Sequence, residues 1–75
     1  MILNLKVGAR VMITKNIDVI DGLTNGAMGT VTDIVLDTST LIVKAILVRF
    51  DYESIGQEAC SISMYTYQQN ISPYT

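Results

Sequence analysis

The chain has 75 residues, 49% of them apolar, with five basic and seven acidic side chains and a formal net charge of −2. That is room for one small domain, and with a charged fraction of only 16% it is too apolar for charge-driven disorder. One cysteine and no histidine exclude an internal disulfide, a His/Cys metal centre and a Cys/His nucleophile pair, while the acidic balance argues against strong autonomous binding to nucleic acid.

Gly8 precedes a first apolar run, Ala9 to Thr14, in which Val11 and Ile13 share one face and Arg10, Met12 and Thr14 the other. That two-residue period predicts a strand. From Lys15 to Gly26 the pattern gives way to turn formers, Asn16, Asp18, Asp21, Gly22, Asn25 and Gly26, around isolated aliphatics, which predicts an ordered loop. Asn25-Gly26 favours a turn with positive φ, and Gly29 predicts a bulge or a close backbone approach. Met28 to Leu36 is β-branched and reads as the second strand, followed by a hairpin connection at Asp37-Thr38-Ser39-Thr40.

Leu41 to Phe50 is the expected return strand, with Ile42, Ile46, Val48 and Phe50 on one face and Lys44 as the exception. Leu41, Val43, Ala45 and Leu47 make the other face apolar too, so either both faces are buried or one meets a partner. Asp51 to Glu58 reads as a polar loop, and Ala59 to Tyr65 as a last strand with Cys60, Ile62 and Met64 opposite Ser61 and Ser63. Beyond it the tail has weak periodicity and one proline, Pro73, so residues 66–75 are expected to fray, and no segment reads as a helix. Residues 1–65 are thus expected to form an all-β domain, a small antiparallel SH3-like barrel. Met1 to Arg10 lacks the apolar stretch of a signal peptide, and Leu41 to Phe50 is half the length a bilayer requires.

No catalytic constellation emerges. Gly22, Gly26 and Gly29 are not followed by the lysine of a phosphate loop, and read as hairpin and bulge glycines, with a backbone contact to a nucleic-acid phosphate as the alternative. Asp18 and Asp21 lack the register of a calcium loop, so no metal site is expected. The lone Cys60 reads as a half-buried strand residue, and Asn70-Ile71-Ser72 as a chance glycosylation triplet. Tyr52, Tyr65, Tyr67 and Tyr74 carry no interleaved basic residues that would support a base-stacking platform. Of the five cations, Lys6, Arg10, Lys15, Lys44 and Arg49, three fall in the first fifteen residues, the only electrostatic asymmetry in the chain.

The string from Leu3 to Val31 resembles a segment of the PIF family of DNA helicases, the petite integration frequency helicases, with their helitron relatives and a looser version in the RecD group. The residues that carry the resemblance are Leu5, Lys6, Gly8, Ala9, Val11, Met12, Asn16, Asp18, Gly22, Leu23, Asn25, Gly26, Gly29 and Val31, with Leu47-Val48-Arg49-Phe50-Asp51 similar to the family's next strand. After Glu58 the sequence departs from that pattern: a return segment with a histidine-lysine and a glutamine-glycine motif is missing, as in an excised domain or a truncated or diverged gene product.

The resemblance implies part of a motor protein. In such helicases this segment builds an SH3-like barrel, subdomain 2B, inserted in the second RecA-like motor domain beside the single-strand track and the duplex junction. It implies a non-motor subdomain of an ATP-dependent 5′-to-3′ helicase, inactive alone, with no cofactor of its own and with ATP and magnesium in the parent's motor domains. It further implies an intracellular setting, nuclear or mitochondrial in a eukaryote, and a parent serving DNA repair, recombination or telomere maintenance. The implied partners are single-stranded DNA or the duplex junction and the parent's motor domains, with no membrane. The DNA-binding candidates are Lys6, Arg10, Thr14, Lys15, Asn16, Asn25 and Gly26. Gly8, Ala9, Val11 and Met12 would anchor the barrel to the motor. The alternative is a protein interaction module that binds a peptide or partner domain through an exposed Leu41 to Phe50 strand.

Overall fold

A computed structural model describes residues 5–51 and 59–74. Five strands form one antiparallel sheet in the order β4-β3-β2-β1-β5: β1 Arg10–Ile13, β2 Met28–Leu36, β3 Val43–Phe50, β4 Cys60–Ser63 and β5 Ile71–Pro73. Among the described residues a single helix, α1 Met64–Asn70, carries the chain from one sheet edge to the other. The sheet curls into an open half-barrel of the small all-β, SH3-like kind that the strand pattern predicts.

The alternation in the sequence is the alternation in burial. Val11 and Ile13 from β1, Val31 from β2, and Ile46, Val48 and Phe50 from β3 all point into the core, each at 4% exposure or less. The second face of β3 is half-buried at Val43, Ala45 and Leu47. A register shift between Val31 and Asp33 places a β-bulge in β2, which increases the local twist and helps the sheet curl. Gly29 resolves to the second of its two expected roles, the close approach. A Cβ there would lie 2.8 Å from the Arg49 carbonyl oxygen and 2.8 Å from Val48 Cγ1.

β3 starts two residues later than the sequence pattern suggests. The Asp37 carboxylate accepts from the Ser39 and Thr40 N–H groups at 2.8 and 3.0 Å, and Leu41 N–H donates to the Asp37 carbonyl at 2.8 Å. Leu41 therefore sits in the left-handed region, φ 58°, and cannot extend the strand. The connection takes six residues, 37–42, and leaves Leu41 and Ile42 exposed. β3 is also an inner strand, paired to β2 along its length and to β4 over Ala45–Val48, so it offers no long free edge to a peptide.

The segment expected to fray is the clearest departure. Ser63 ends β4 in an extended conformation (φ −62°, ψ 154°) and caps α1, its hydroxyl accepting from Thr66 N–H at 3.2 Å. Tyr67 and Ile71, four residues apart, are buried at 4% and 5% exposure. Those two anchors hold a seven-residue helix that intrinsic propensity could not sustain. β5 then pairs with β1, Val11 opposite Pro73 and Ile13 opposite Ile71, with Pro73 tolerated because the strand is at the sheet edge. Apart from Asp51, the polar loop expected at residues 51–58 lies outside the described residues.

Candidate nucleic-acid interface

β1 distributes the candidate residues over two regions. At its C-terminal end the chain leaves the sheet and turns back on itself through residues 15–26. Ile17 and Asp18 N–H groups donate to the Leu23 carbonyl at 2.8 and 3.1 Å, Leu23 N–H returns a bond to the Asp18 carbonyl at 2.8 Å, and the Asp18 carboxylate accepts from Ile20 and Asp21 N–H. Asn16 Oδ1 accepts from Asn25 N–H at 2.7 Å, and Gly26 N–H donates to the Ile13 carbonyl at 2.7 Å. The loop is therefore ordered as the turn chemistry predicts, with Gly22 and Gly26 at φ 80° and 96°.

This closure brings Thr14, Lys15, Asn16, Asn25 and Gly26 together and adds a residue that the sequence reading placed in the tail. The Asn70 carbonyl accepts from Thr14 N–H at 2.7 Å and from the Thr14 hydroxyl at 3.2 Å, and the Asn70 side-chain amide donates to the Lys15 and Asn16 carbonyls at 3.3 and 3.2 Å. Lys15, Asn16 and Asn25 are exposed. The N–H groups of Asn25, Gly26 and Ala27 all donate to acceptors within the chain, so this turn has no vacant backbone nest for a phosphate; Asn25 retains its side chain.

The other region is built on Arg10. Its guanidinium meets the Asp51 carboxylate in two parallel bonds of 3.0 and 2.6 Å and donates to the Thr30 hydroxyl at 2.9 Å, Thr30 being its partner across the β1/β2 ladder. Both charged groups are about half-exposed, at 42% and 46%. Arg10 is thus already neutralised by a carboxylate. Lys6 lies in the exposed turn before β1, and the side chains of Lys6 and Lys15 make no hydrogen bond or ion pair among the described residues. The structure therefore does not gather Lys6, Arg10 and Lys15 into one basic cluster: Lys15 projects from the loop end of β1, Arg10 from the opposite end. Neither Asp51 nor Asn70 had a local sequence signal as a partner, lying 41 residues from Arg10 and 55 from Lys15.

The ion pair has a pH signature. Hydrogen bonding to Arg10 holds the Asp51 carboxyl below the usual carboxylate range, and the Thr40 and Ser39 N–H groups do the same for Asp37. A carboxyl whose pKa is depressed by folding stabilises the folded state above its unfolded pKa, about 3.9, and loses that contribution as pH falls through the folded value. Urea melts should accordingly show stability declining below about pH 4, with a shallower decline in Asp51→Asn. An identical acid profile in that variant would contradict the pairing.

The residues of both regions, except Arg10's partner Asp51 and the helix residue Asn70, fall in the stretch that known proteins share. Residues 1–34 match the family model described as DNA helicase Pif1, 2B domain. The chain is 66% identical over 32 residues to the ATP-dependent DNA helicase PIF1 of Danio rerio, a stretch that covers 43% of this chain and 5% of that protein. No solved structure gives a significant match. Through residues 1–34 the chain is therefore similar to the 2B domain of the Pif1 DNA helicase family, and it spans only a small part of the helicase it matches.

Proposed function

We propose that this chain is a non-motor accessory subdomain of an ATP-dependent 5′-to-3′ DNA helicase, which guides single-stranded DNA or the duplex junction past the motor while packing on the motor domains. The observation that supports it is the internally bonded loop at the end of β1, which carries exposed Lys15, Asn16 and Asn25 within the matched segment. ATP and magnesium would be handled by the motor domains. A loop already ordered by its own hydrogen bonds has little conformational entropy left to lose on binding, which favours a weak, sequence-independent phosphate contact. With Arg10 engaged by Asp51, the available cations in this half of the chain are Lys6 and Lys15, enough for about two phosphates.

A second reading, a protein-docking role, is favoured by the apolar hairpin tip, where Val35, Leu36, Leu41 and Ile42 are 37%, 45%, 72% and 66% exposed. This tip is distinct from the loop that carries Lys15, so the two readings separate experimentally. Adding a short oligothymidylate to the ¹⁵N-labelled chain at low salt should shift the amides of Lys6, Thr14 to Asn16 and Asn25, and the shifts should vanish at high salt. No shift in those amides would defeat DNA guidance. Shifts confined to Val35, Leu36, Leu41 and Ile42 on adding a motor domain or peptide would instead establish the docking role.

A further inference from the structure

We infer that Asn70 is the positioning residue of the candidate DNA-contacting loop, so that the C-terminal helix, outside the segment shared with the Pif1 2B family, sets the geometry of a site inside it. The DNA-binding half of this inference rests on the function proposed above; the positioning half rests on geometry alone. Asn70 is the last residue of α1, and it engages three consecutive residues of the chain 54 to 56 positions earlier.

Successive carbonyls of an extended strand point to opposite sides, so one side chain cannot ordinarily reach two in a row. Here the chain bends at Thr14 and Lys15 as it leaves β1, and the two N–H bonds of the Asn70 amide meet the Lys15 and Asn16 carbonyls, at 3.3 and 3.2 Å. The Asn70 carbonyl holds the preceding step by accepting from Thr14 N–H, the Thr14 hydroxyl and, at 3.4 Å, Lys15 N–H. Asn16, fixed in this way at its carbonyl, places its own Oδ1 on Asn25 N–H at 2.7 Å and closes the far side of the loop. The requirement is chemically narrow. A neutral amide supplies two donors on one nitrogen; a carboxylate of the same shape supplies none and would face two carbonyl oxygens. The direction in which Lys15 leaves the sheet is thereby fixed by a contact made from α1.

The variant to make is Asn70→Asp in the 75-residue chain, because it keeps side-chain size and every backbone contact of residue 70. Two measurements are read. In the first, amide hydrogen exchange at Asn25 should accelerate about three- to tenfold in Asn70→Asp, the scale of one lost hydrogen bond, while Ile46 and Val48 stay close to wild type. In the second, affinity for a labelled oligothymidylate should fall at least threefold, the lost placement of Lys15 and the added carboxylate charge acting in the same direction. Unchanged exchange at Asn25, or an acceleration of the same size at Ile46 and Val48, would overturn the positioning role. If Asn25 responds as stated but the wild-type chain leaves oligothymidylate unbound, Asn70 stands as the loop's positioning residue and the DNA reading falls.

Discussion

Truncating Ile46 to alanine should destabilise the fold by about 2–5 kcal/mol, the range for removing a large aliphatic from a close-packed core. Ile46 is fully buried in the middle of β3, opposite Ile34 on β2 and Ile62 on β4, so the cavity would open between three strands that cannot collapse without breaking ladder pairs. A 75-residue chain has on the order of 4–11 kcal/mol of total stability, and this one substitution would remove a large part of it. Ile20, at the tip of the 15–26 loop and 96% exposed, is the matched control and should change stability by less than about 0.5 kcal/mol on the same replacement. Urea melts of the two variants decide the matter. Equal losses would mean that the even-numbered face of β3 is not the buried one.

Gly29→Ala should have the second largest effect, through overpacking. Gly29 sits in β2 between Val11 of β1 and Phe50 of β3. The added methyl would meet the Arg49 carbonyl oxygen and Val48 Cγ1 at 2.8 Å and Phe50 Cδ1 at 3.1 Å. The first of these is backbone, held in the ladder, and cannot move aside as a flexible side chain would. Relief requires β2 and β3 to separate locally, at a cost of about 1–3 kcal/mol. The thermal midpoint should drop by several degrees; a midpoint equal to wild type would place β2 in a different register.

These two sites also show which physics the sequence exposes. The buried face of β3 was readable at Ile46, Val48 and Phe50, and β2 at its full extent, because a strand with one dry face writes its period of two directly into the residue types. The close approach at Gly29 was visible as one of two possibilities, since a glycine inside a β-branched run has few other reasons to be there. Helix α1 was not readable. Its seven residues hold one buried anchor, Tyr67, and are flanked by the Ser63 cap and by Ile71 of β5, and the burial of both anchors exists only once the sheet has formed. Leu41 was taken for strand because a left-handed leucine has no signature in sequence.

The candidate interface divides in the same way. Asn16, Asn25 and Gly26 were marked by local turn chemistry and do close one loop. The neutralisation of Arg10 by Asp51 and the hold of Asn70 on Thr14, Lys15 and Asn16 are long-range contacts, set by the order in which the strands assemble. In the proposed DNA-guiding role the first of these would act through charge: pairing of Arg10 leaves Lys6 and Lys15, rather than three cations, to face a nucleic acid.

The most direct test of the account is the salt dependence of single-strand binding. Fluorescence anisotropy of a labelled oligothymidylate, titrated from low to moderate salt, should give weak binding with log K falling against log salt at a slope of about −1.4, two phosphates at roughly −0.7 each. Lys15→Ala should halve that slope. A slope near zero, or one that Lys6→Ala and Lys15→Ala together leave unchanged, would contradict the assignment of the β1 loop as a DNA-contacting surface.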